Sequence, residues 1–301
     1  MSGAAGALGA SVGLTCVGSK NVMGEEKGKR RQDNLVVRDR FWLWGHETGS
    51  HNSGYDIPSQ SRITPVEAAF YMRIPNMIMV RYGAKALPLD SQYVLPFRGL
   101  GEVVWSVVGA GGSKDNDETS RVLQLPGNLP NMTGVMMDDF FRSAKSVQNA
   151  GVLSAAELTT LRKRLSDSGR GLKLWVVLYD HQLDWPVKEH LELCDKVTYW
   201  TWKGDDLKNL ESNFAKMEKL VPQKCGKVLG CYMWDYGAKK PMPPDLMKYQ
   251  CETGLRWLKE GRIEGMIFLA SCICDLELEA VEWARKWIAE VGDEELRLVA
   301  K

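Results

Sequence analysis

Eight short hydrophobic runs recur from residue 40 onward, and most of them are separated by stretches with helical periodicity. Each run has the length and composition of a buried strand. The runs begin roughly 25–40 residues apart, the period of a strand followed by a helix. They are FWLWGHE (41–47), NMIMVRY (76–82), EVVWSVV (102–108), GVMMDDF (134–140), KLWVVLYD (173–180), KVTYWTW (196–202), VLGCYMWDY (228–236) and GMIFLAS (265–271).

Capping residues and apolar faces predict several of the connecting helices. Thr64-Pro65-Val66-Glu67 combines a helix N-cap, a proline in the first turn and a capping-box glutamate, and Ser154 with Glu157 repeats the capping box. Apolar residues three and four apart predict further helices over 205–221, 244–260 and 275–291. Helical periodicity is weak over 83–101, and the helix near 118–125 is short.

The regular alternation predicts an α/β fold, a (β/α)8 TIM barrel formed by a single domain over 34–301. An open doubly wound sheet is the alternative. It is disfavoured because Gly109–Gly112 lacks the spacing of a glycine-rich phosphate loop.

Residues 1–33 precede the predicted barrel domain. Within them, residues 1–19 are small and weakly apolar, like the hydrophobic half of a bacterial export signal without its basic region. Two interpretations stay open, a flexible N-terminal tail or the remnant of a signal. The second predicts a periplasmic or secreted protein, and the first a cytoplasmic one.

Composition excludes some partners. The formal net charge of +1 gives little reason to expect nucleic-acid binding, which relies on clustered basic surface. A run of about 18 apolar residues is absent from the sequence, so we expect no membrane span.

In a (β/α)8 barrel the active site lies at the C-terminal ends of the strands. Acids, histidines and aromatic residues are concentrated at those ends of the predicted strands. They are Trp44, His46, Glu47, Arg81, Tyr82, Trp105, Asp138, Asp139, Tyr179, Asp180, His181, Trp200, Trp202, Trp234, Asp235, Tyr236 and Ser271. By contrast, Trp42 and Trp175 are in mid-strand, where we expect core packing.

The stretches MMDDFF, VVLYDHQ, TYWTW and CYMWDYG make residues 40–292 resemble a bacterial (β/α)8 glycoside-hydrolase-like protein. The resemblance implies a carbohydrate substrate and essential acids after strand four and after strand six or seven, where Asp138 or Asp139 and Asp235 stand. The chain lacks a glutamate at the fourth or seventh strand end, which puts the retaining mechanism in doubt.

Glycoside cleavage needs one protonated carboxyl and one ionised carboxylate. The candidate catalytic acids are Asp138, Asp139, Asp180 and Asp235. We expect Asp138 or Asp139 to be the protonated acid and Asp235 its ionised partner. Aromatic faces suit the C–H faces of sugars. The candidate substrate-binding residues are Trp44, His46, Glu47, Arg81, Tyr82, Trp105, His181, Trp202, Trp234 and Tyr236.

Successive strand residues point to opposite sides, so only one of Asp138 and Asp139 is expected to face the barrel mouth. A loop over 48–63, which contains His51 and Tyr55, would form a wall of the site.

Two other functions remain open. One is a divalent-metal enzyme, in which acids and histidines at the strand ends converge on a cation. Its candidate ligands are His46, Glu47, Asp138, Asp139, Asp180 and His181. The other is a sugar-binding barrel without catalysis. The favoured hypothesis, a carbohydrate-active hydrolase acting on a carbohydrate or another small polar substrate, needs no cofactor and no metal. The oligomeric state is not predicted.

Overall fold

The computed structural model describes residues 35–83, 89–146 and 150–297, and within them eight parallel strands form a closed barrel. Each strand pairs with the next along the chain, and the eighth pairs with the first. The strands are β1 (Phe41–Gly45), β2 (Asn76–Met79), β3 (Val103–Gly109), β4 (Met132–Met137), β5 (Lys173–Tyr179), β6 (Lys196–Trp200), β7 (Gly226–Tyr232) and β8 (Gly265–Leu269). This confirms the predicted (β/α)8 barrel.

A helix follows each strand before the next strand begins. The helices are α1 (Pro65–Met72), α2 (Ser91–Val94), α3 (Asn116–Val122), α4 (Ala155–Asp167), α5 (Lys188–Leu191), α6 (Leu210–Leu220), α7 (Pro244–Lys259) and α8 (Glu279–Val291). Two-residue strands also lie in the loops: Ser113–Lys114 pairs with the end of β3, and Trp234–Asp235 pairs with Lys240–Pro241.

Tryptophan rings fill the inside of the barrel. The ring centroids of Trp42 on β1 and Trp175 on β5 are 5.0 Å apart, and those of Trp44 on β1 and Trp200 on β6 are 5.4 Å apart. Because these strands are not neighbours, the contacts cross the interior. A Cβ atom on Gly230 of β7 would lie 2.1 Å from the Trp200 ring, so the glycine makes room for the indole. Core packing of Trp42 and Trp175 is therefore confirmed.

The helix ends follow the sequence signals closely. At α1 the Thr64 side chain accepts from the Glu67 N–H and Glu67 bonds back to Thr64, and Ser154 and Glu157 do the same at α4. Two elements differ from the predicted bounds. The chain leaves the fourth strand at Met137, earlier than predicted, because Asp139 has a left-handed φ of 44°. A 3₁₀ turn over Gly204–Asn209 precedes α6.

The predicted tail or signal remnant, residues 1–33, lies outside the described residues. Its boundary with the barrel domain therefore stays a prediction. In the described part of the chain, no helix is long and apolar enough to cross a membrane.

Candidate active site

The inward alternation of the strands continues past the tryptophan layer to their C-terminal ends. Residues two apart on a strand face the same side. Trp44 is followed in this register by His46, Trp175 by Val177 and Tyr179, and Trp200 by Trp202. The end layer is contiguous, since the ring of Trp202 lies 5.5 Å from the Tyr179 ring.

Asp138 continues the inward register of β4. Its side chain lies in a buried position, with 6% of the residue exposed, and its Oδ1 accepts a hydrogen bond of 2.8 Å from the Asp139 backbone N–H. Burial raises the pKa of the Asp138 carboxyl well above its usual range, and the neighbouring Asp139 raises it further. Asp138 is therefore a carboxyl group that tends to keep its proton.

The left-handed backbone at Asp139 turns its side chain back towards Asp138. Its Oδ1 accepts a hydrogen bond of 2.6 Å from the Tyr179 hydroxyl, and its Oδ2 accepts one of 2.8 Å from the Gly111 backbone N–H. Strand alternation alone would direct this side chain away from Asp138. The turn instead fixes the second carboxylate on Tyr179 and on the loop after β3.

Three tyrosines surround the two acids. Burial raises the phenol pKa of Tyr55, Tyr179 and Tyr232, and the proximity of Asp138 and Asp139 raises all three further. The phenols therefore keep their protons at neutral pH and can donate hydrogen bonds to the acids or to a ligand.

Two neutral histidines lie beside the tyrosines. The Trp44 indole N–H, which can only donate, lies 3.1 Å from His46 Nε2, so the His46 proton is on Nδ1 and is donated to the Val80 carbonyl at 2.8 Å. Burial lowers the pKa of His46 to about 4. Burial also lowers the pKa of His51 well below its usual value, and His51 Nδ1 lies 3.1 Å from the Tyr236 hydroxyl.

The 48–63 loop is held against the strand ends by specific contacts. The Trp234 indole donates to the Tyr55 carbonyl at 3.0 Å, and the His51 ring packs against Tyr82 with centroids 5.1 Å apart. The Asn52 side chain bonds both the N–H and the carbonyl of Ser61, which closes the base of the loop. The loop thus brings Tyr55 and His51 to the cluster.

Two predicted substrate-binding residues, Arg81 and Trp105, make structural contacts with loops and with the turn after α2. The Arg81 guanidinium donates to the Gly83 and Ser113 carbonyls and so joins the loops after β2 and β3. Trp105 packs on Phe97, next to α2, with centroids 5.2 Å apart.

The other two candidate acids, Asp180 and Asp235, accept hydrogen bonds from backbone N–H groups. Asp180 Oδ1 accepts from the His181 N–H at 2.9 Å and from the Trp202 N–H, beyond the end of β6, at 3.4 Å, and the half-exposed His181 ring stacks on Tyr179. Asp235 is 1% exposed and accepts from the Ala238 N–H at 2.9 Å. A single pocket lined by all four acids therefore stays a prediction.

The comparisons with known proteins rest on structure. No protein-family model and no curated protein matches the chain. A protein assigned as an alpha-L-fucosidase from Bacteroides thetaiotaomicron VPI-5482 superposes with a TM-score of 0.57 at 12% identity, covering 94% of this chain and 100% of that one. A β-D-glucuronidase of Dictyoglomus thermophilum gives 0.51 at 9% identity, covering 85% of this chain and 51% of that one. The ICChI chitinase of Ipomoea carnea gives 0.50 at 13%, covering 85% and 100%.

The chain therefore shares the (β/α)8 barrel fold of these three proteins. The low identities mean that the likeness concerns the path of the backbone. A shared fold does not fix an activity, so the chemistry of this barrel depends on its own strand-end residues.

The alternative of a divalent-metal enzyme would need a cluster of ligands, and the described ranges contain none. Within residues 35–83, 89–146 and 150–297, no group of three or more His, Cys, Asp or Glu is arranged to hold a metal ion.

The predicted catalytic and substrate-binding residues do not include four contributors to this cluster. They are His51 and Tyr55, which the sequence places only in a loop wall, Tyr179, which it places at a strand end without a role, and Tyr232. A signal existed for two of them. Counting back in steps of two from Tyr179 reaches Trp175, and from Tyr232 it reaches Gly230, and both of those residues face the interior. His51 and Tyr55 belong to a loop, where alternation gives no direction.

Proposed function

We propose that the protein is a carbohydrate-active hydrolase of the glycosidase type, in which Asp138 is the proton donor and Asp139 is its carboxylate partner. One observation supports this most strongly, the burial of Asp138 directly beside a second carboxyl group at a barrel strand end. Both effects raise the pKa of Asp138 and favour its protonated form, which a general acid requires.

Asp139 suits the partner role better than Asp235. The Tyr179 hydroxyl and the Gly111 N–H fix its two oxygens beside Asp138, whereas the hydrogen bond on Asp235 comes from its own turn. In the proposed reaction Asp138 protonates the leaving oxygen as the glycosidic bond breaks. Asp139 acts on the sugar carbon, as a nucleophile or through an activated water.

The aromatic surroundings favour a sugar as substrate. The rings of Tyr179, Trp202 and Tyr232 lie in contact at the same strand ends, with centroids 5.5 and 6.0 Å apart. Aromatic faces complement the C–H faces of sugars, and the phenols can bind sugar hydroxyls. The structural neighbours include a glucuronidase and a chitinase, which agrees with this substrate class.

A panel of aryl glycosides tests the proposal. For a sugar that the wild type hydrolyses, we expect Asp138→Asn to lower kcat about 10²–10⁴-fold on phenyl glycosides and much less on 2,4-dinitrophenyl glycosides. A good leaving group needs no proton, so only the acid shows this dependence. Asp139→Asn should lower the rate on both kinds of substrate, and the anomer of the first product, read by NMR, distinguishes retention from inversion.

Asp167→Asn is the matched control, because Asp167 is exposed at the end of α4. It should leave turnover unchanged. If Asp138→Asn and Asp139→Asn each keep wild-type turnover of a confirmed glycoside, the hydrolase proposal is wrong. If the wild type binds sugars without cleaving any, the non-catalytic sugar-binding barrel replaces it.

A further inference from the structure

A cavity of about 530 Å³ lies beside the candidate active site, between the loop after β1, the first turn of α1, and α2 with the turn that follows it. Its lining is mostly apolar or aromatic. The apolar and aromatic members are Pro65, Val66, Tyr93, Pro96 and Phe97. The volume falls in the range of ligand pockets, roughly 300–1,000 Å³. The site proposed above does not use this space.

Glu47 is the acidic group in the lining of the cavity. Its Oε2 accepts hydrogen bonds from the Tyr82 N–H at 3.2 Å and from the Ser50 hydroxyl at 3.4 Å, which fix the side chain. Burial raises the pKa of the Glu47 carboxyl, and the Ser50 and Tyr82 hydrogen bonds lower it by less. A carboxyl oxygen in an apolar wall can orient a ligand through one hydroxyl or amide N–H.

Tyr82 connects the cavity to the acid cluster. Its backbone N–H bonds Glu47 of the cavity, while its hydroxyl lies 3.4 Å from the Tyr55 hydroxyl and its ring packs on His46. The charges of Asp138 and Asp139 in turn raise the pKa of Tyr55. The cavity and the candidate active site therefore lie on two sides of one tyrosine.

We propose that this cavity binds the aglycone of the substrate and that the aglycone is an aromatic group carrying one hydrogen-bond donor. The inference rests on the proposed function. A second sugar fits the lining less well than an aromatic ring, because many of its hydroxyls would lose water against proline, valine and phenylalanine, and few lining side chains, among them Glu47, Thr48 and Gln92, are polar. An aromatic ring gains from the same burial, and its donor is matched by Glu47.

Free aromatic probes test the cavity without any need for turnover. Calorimetric titration of the full chain with 2-naphthol should give saturable binding. The methyl ether, 2-methoxynaphthalene, should bind about 5–10-fold more weakly, because it has no donor for Glu47. If 2-naphthol shows no binding, or if both probes bind equally, the proposed site is wrong.

Two variants locate the binding. Val66→Trp fills the cavity from α1, and Gln92→Trp narrows it from an exposed position on α2, so that one informative variant remains if the other does not fold. Each should weaken 2-naphthol binding at least about 10-fold. Phe70→Trp, on the 86% exposed residue of the same helix α1, is the control and should bind like the wild type. Equal losses in all three variants would overturn the assignment.

Steady-state kinetics test whether the cavity holds the aglycone of a substrate. For one sugar, the 2-naphthyl glycoside should have a lower KM than the methyl glycoside, and Val66→Trp should remove that difference. An unchanged difference would overturn the aglycone assignment. If naphthol binds in the cavity but the chain cleaves no glycoside, the proposed function fails while the ligand site remains.

Discussion

Two layers inside the barrel follow the same inward alternation and differ in chemistry. In the lower layer, Trp42 and Trp175 meet across the interior and are 4% and 2% exposed. Two steps further along the strands, the inward positions carry His46 and Tyr179, with Asp138 at the end of β4. The first layer is stabilised by apolar burial and the second by hydrogen bonds to groups that burial penalises.

Both sets of side chains point inward, so the position of a residue along its strand distinguishes a packing residue from a chemically active one. A buried indole in mid-strand gains free energy from every contact it makes. A buried acid at the strand end costs free energy, because its charged form loses water. We therefore expect substitutions in the lower layer to change stability and substitutions in the upper layer to change activity.

The largest expected effect is on stability and comes from the lower layer. Trp175→Ala should lower the free energy of unfolding by about 3–5 kcal/mol, because it leaves a cavity among packed rings. Turnover per folded molecule should stay at the wild-type level. Denaturant unfolding and activity below the transition measure the two quantities. Trp283→Ala on α8, at a less buried ring, is the control and should cost clearly less. A loss of turnover as large as that of Asp138→Asn would remove the distinction between the layers.

A second effect concerns acid stability and comes from His46. Its folded pKa of about 4 lies below the ordinary value of 6.5, so the unfolded chain binds the proton first. The contribution is complete above pH 6.5 and is lost as the pH falls towards 4. Between pH 7 and 4 the wild type should lose about 3 kcal/mol more than His46→Asn does. Unfolding curves across this range test the difference, and parallel pH profiles would contradict it.

A third, smaller effect tests the bond between Tyr179 and Asp139. Tyr179→Phe removes the hydroxyl that fixes the carboxylate, so we expect kcat to fall about 10-fold, equivalent to about 1.4 kcal/mol. Tyr199→Phe changes a buried tyrosine that packs on Phe214 of α6, and it should leave kcat unchanged. Equal rates for the two variants would show that Tyr179 does not position Asp139.

A fourth expected change has the opposite sign and separates the layers most sharply. Because the folded pKa of Asp138 is raised, ionisation costs stability as the pH rises above the unfolded value of 3.8. Asp138→Asn should therefore gain stability relative to the wild type between pH 4 and pH 7. Asp167→Asn should show no such trend. A relative loss at pH 7 would mean that the native state holds Asp138 as a stabilised carboxylate.

Much of the barrel could be predicted because its strands are buried on both faces. Such strands read as continuous apolar runs, and the runs beginning near Phe41, Asn76 and Lys173 correspond to β1, β2 and β5. Capping residues such as Ser154 and Glu157 act through neighbours three residues apart, so their effect is also local. The short α2 and α3 match the weak periodicity of their segments.

The sequence by itself determined the order of the elements and the strand ends that carry acids and aromatics, and it left open which of Asp138 and Asp139 faces inward. Periods of 2.0 and 3.6 residues depend only on local backbone geometry. Tertiary structure alone decided that Asp139 turns back onto Tyr179, that a loop delivers His51 and Tyr55, and that Trp105 packs beside α2. These contacts join residues from 8 to 185 positions apart, as Trp105 with Phe97 and Tyr236 with His51 show. A left-handed turn or a packed loop has no periodic pattern, so only the folded chain defines its partners.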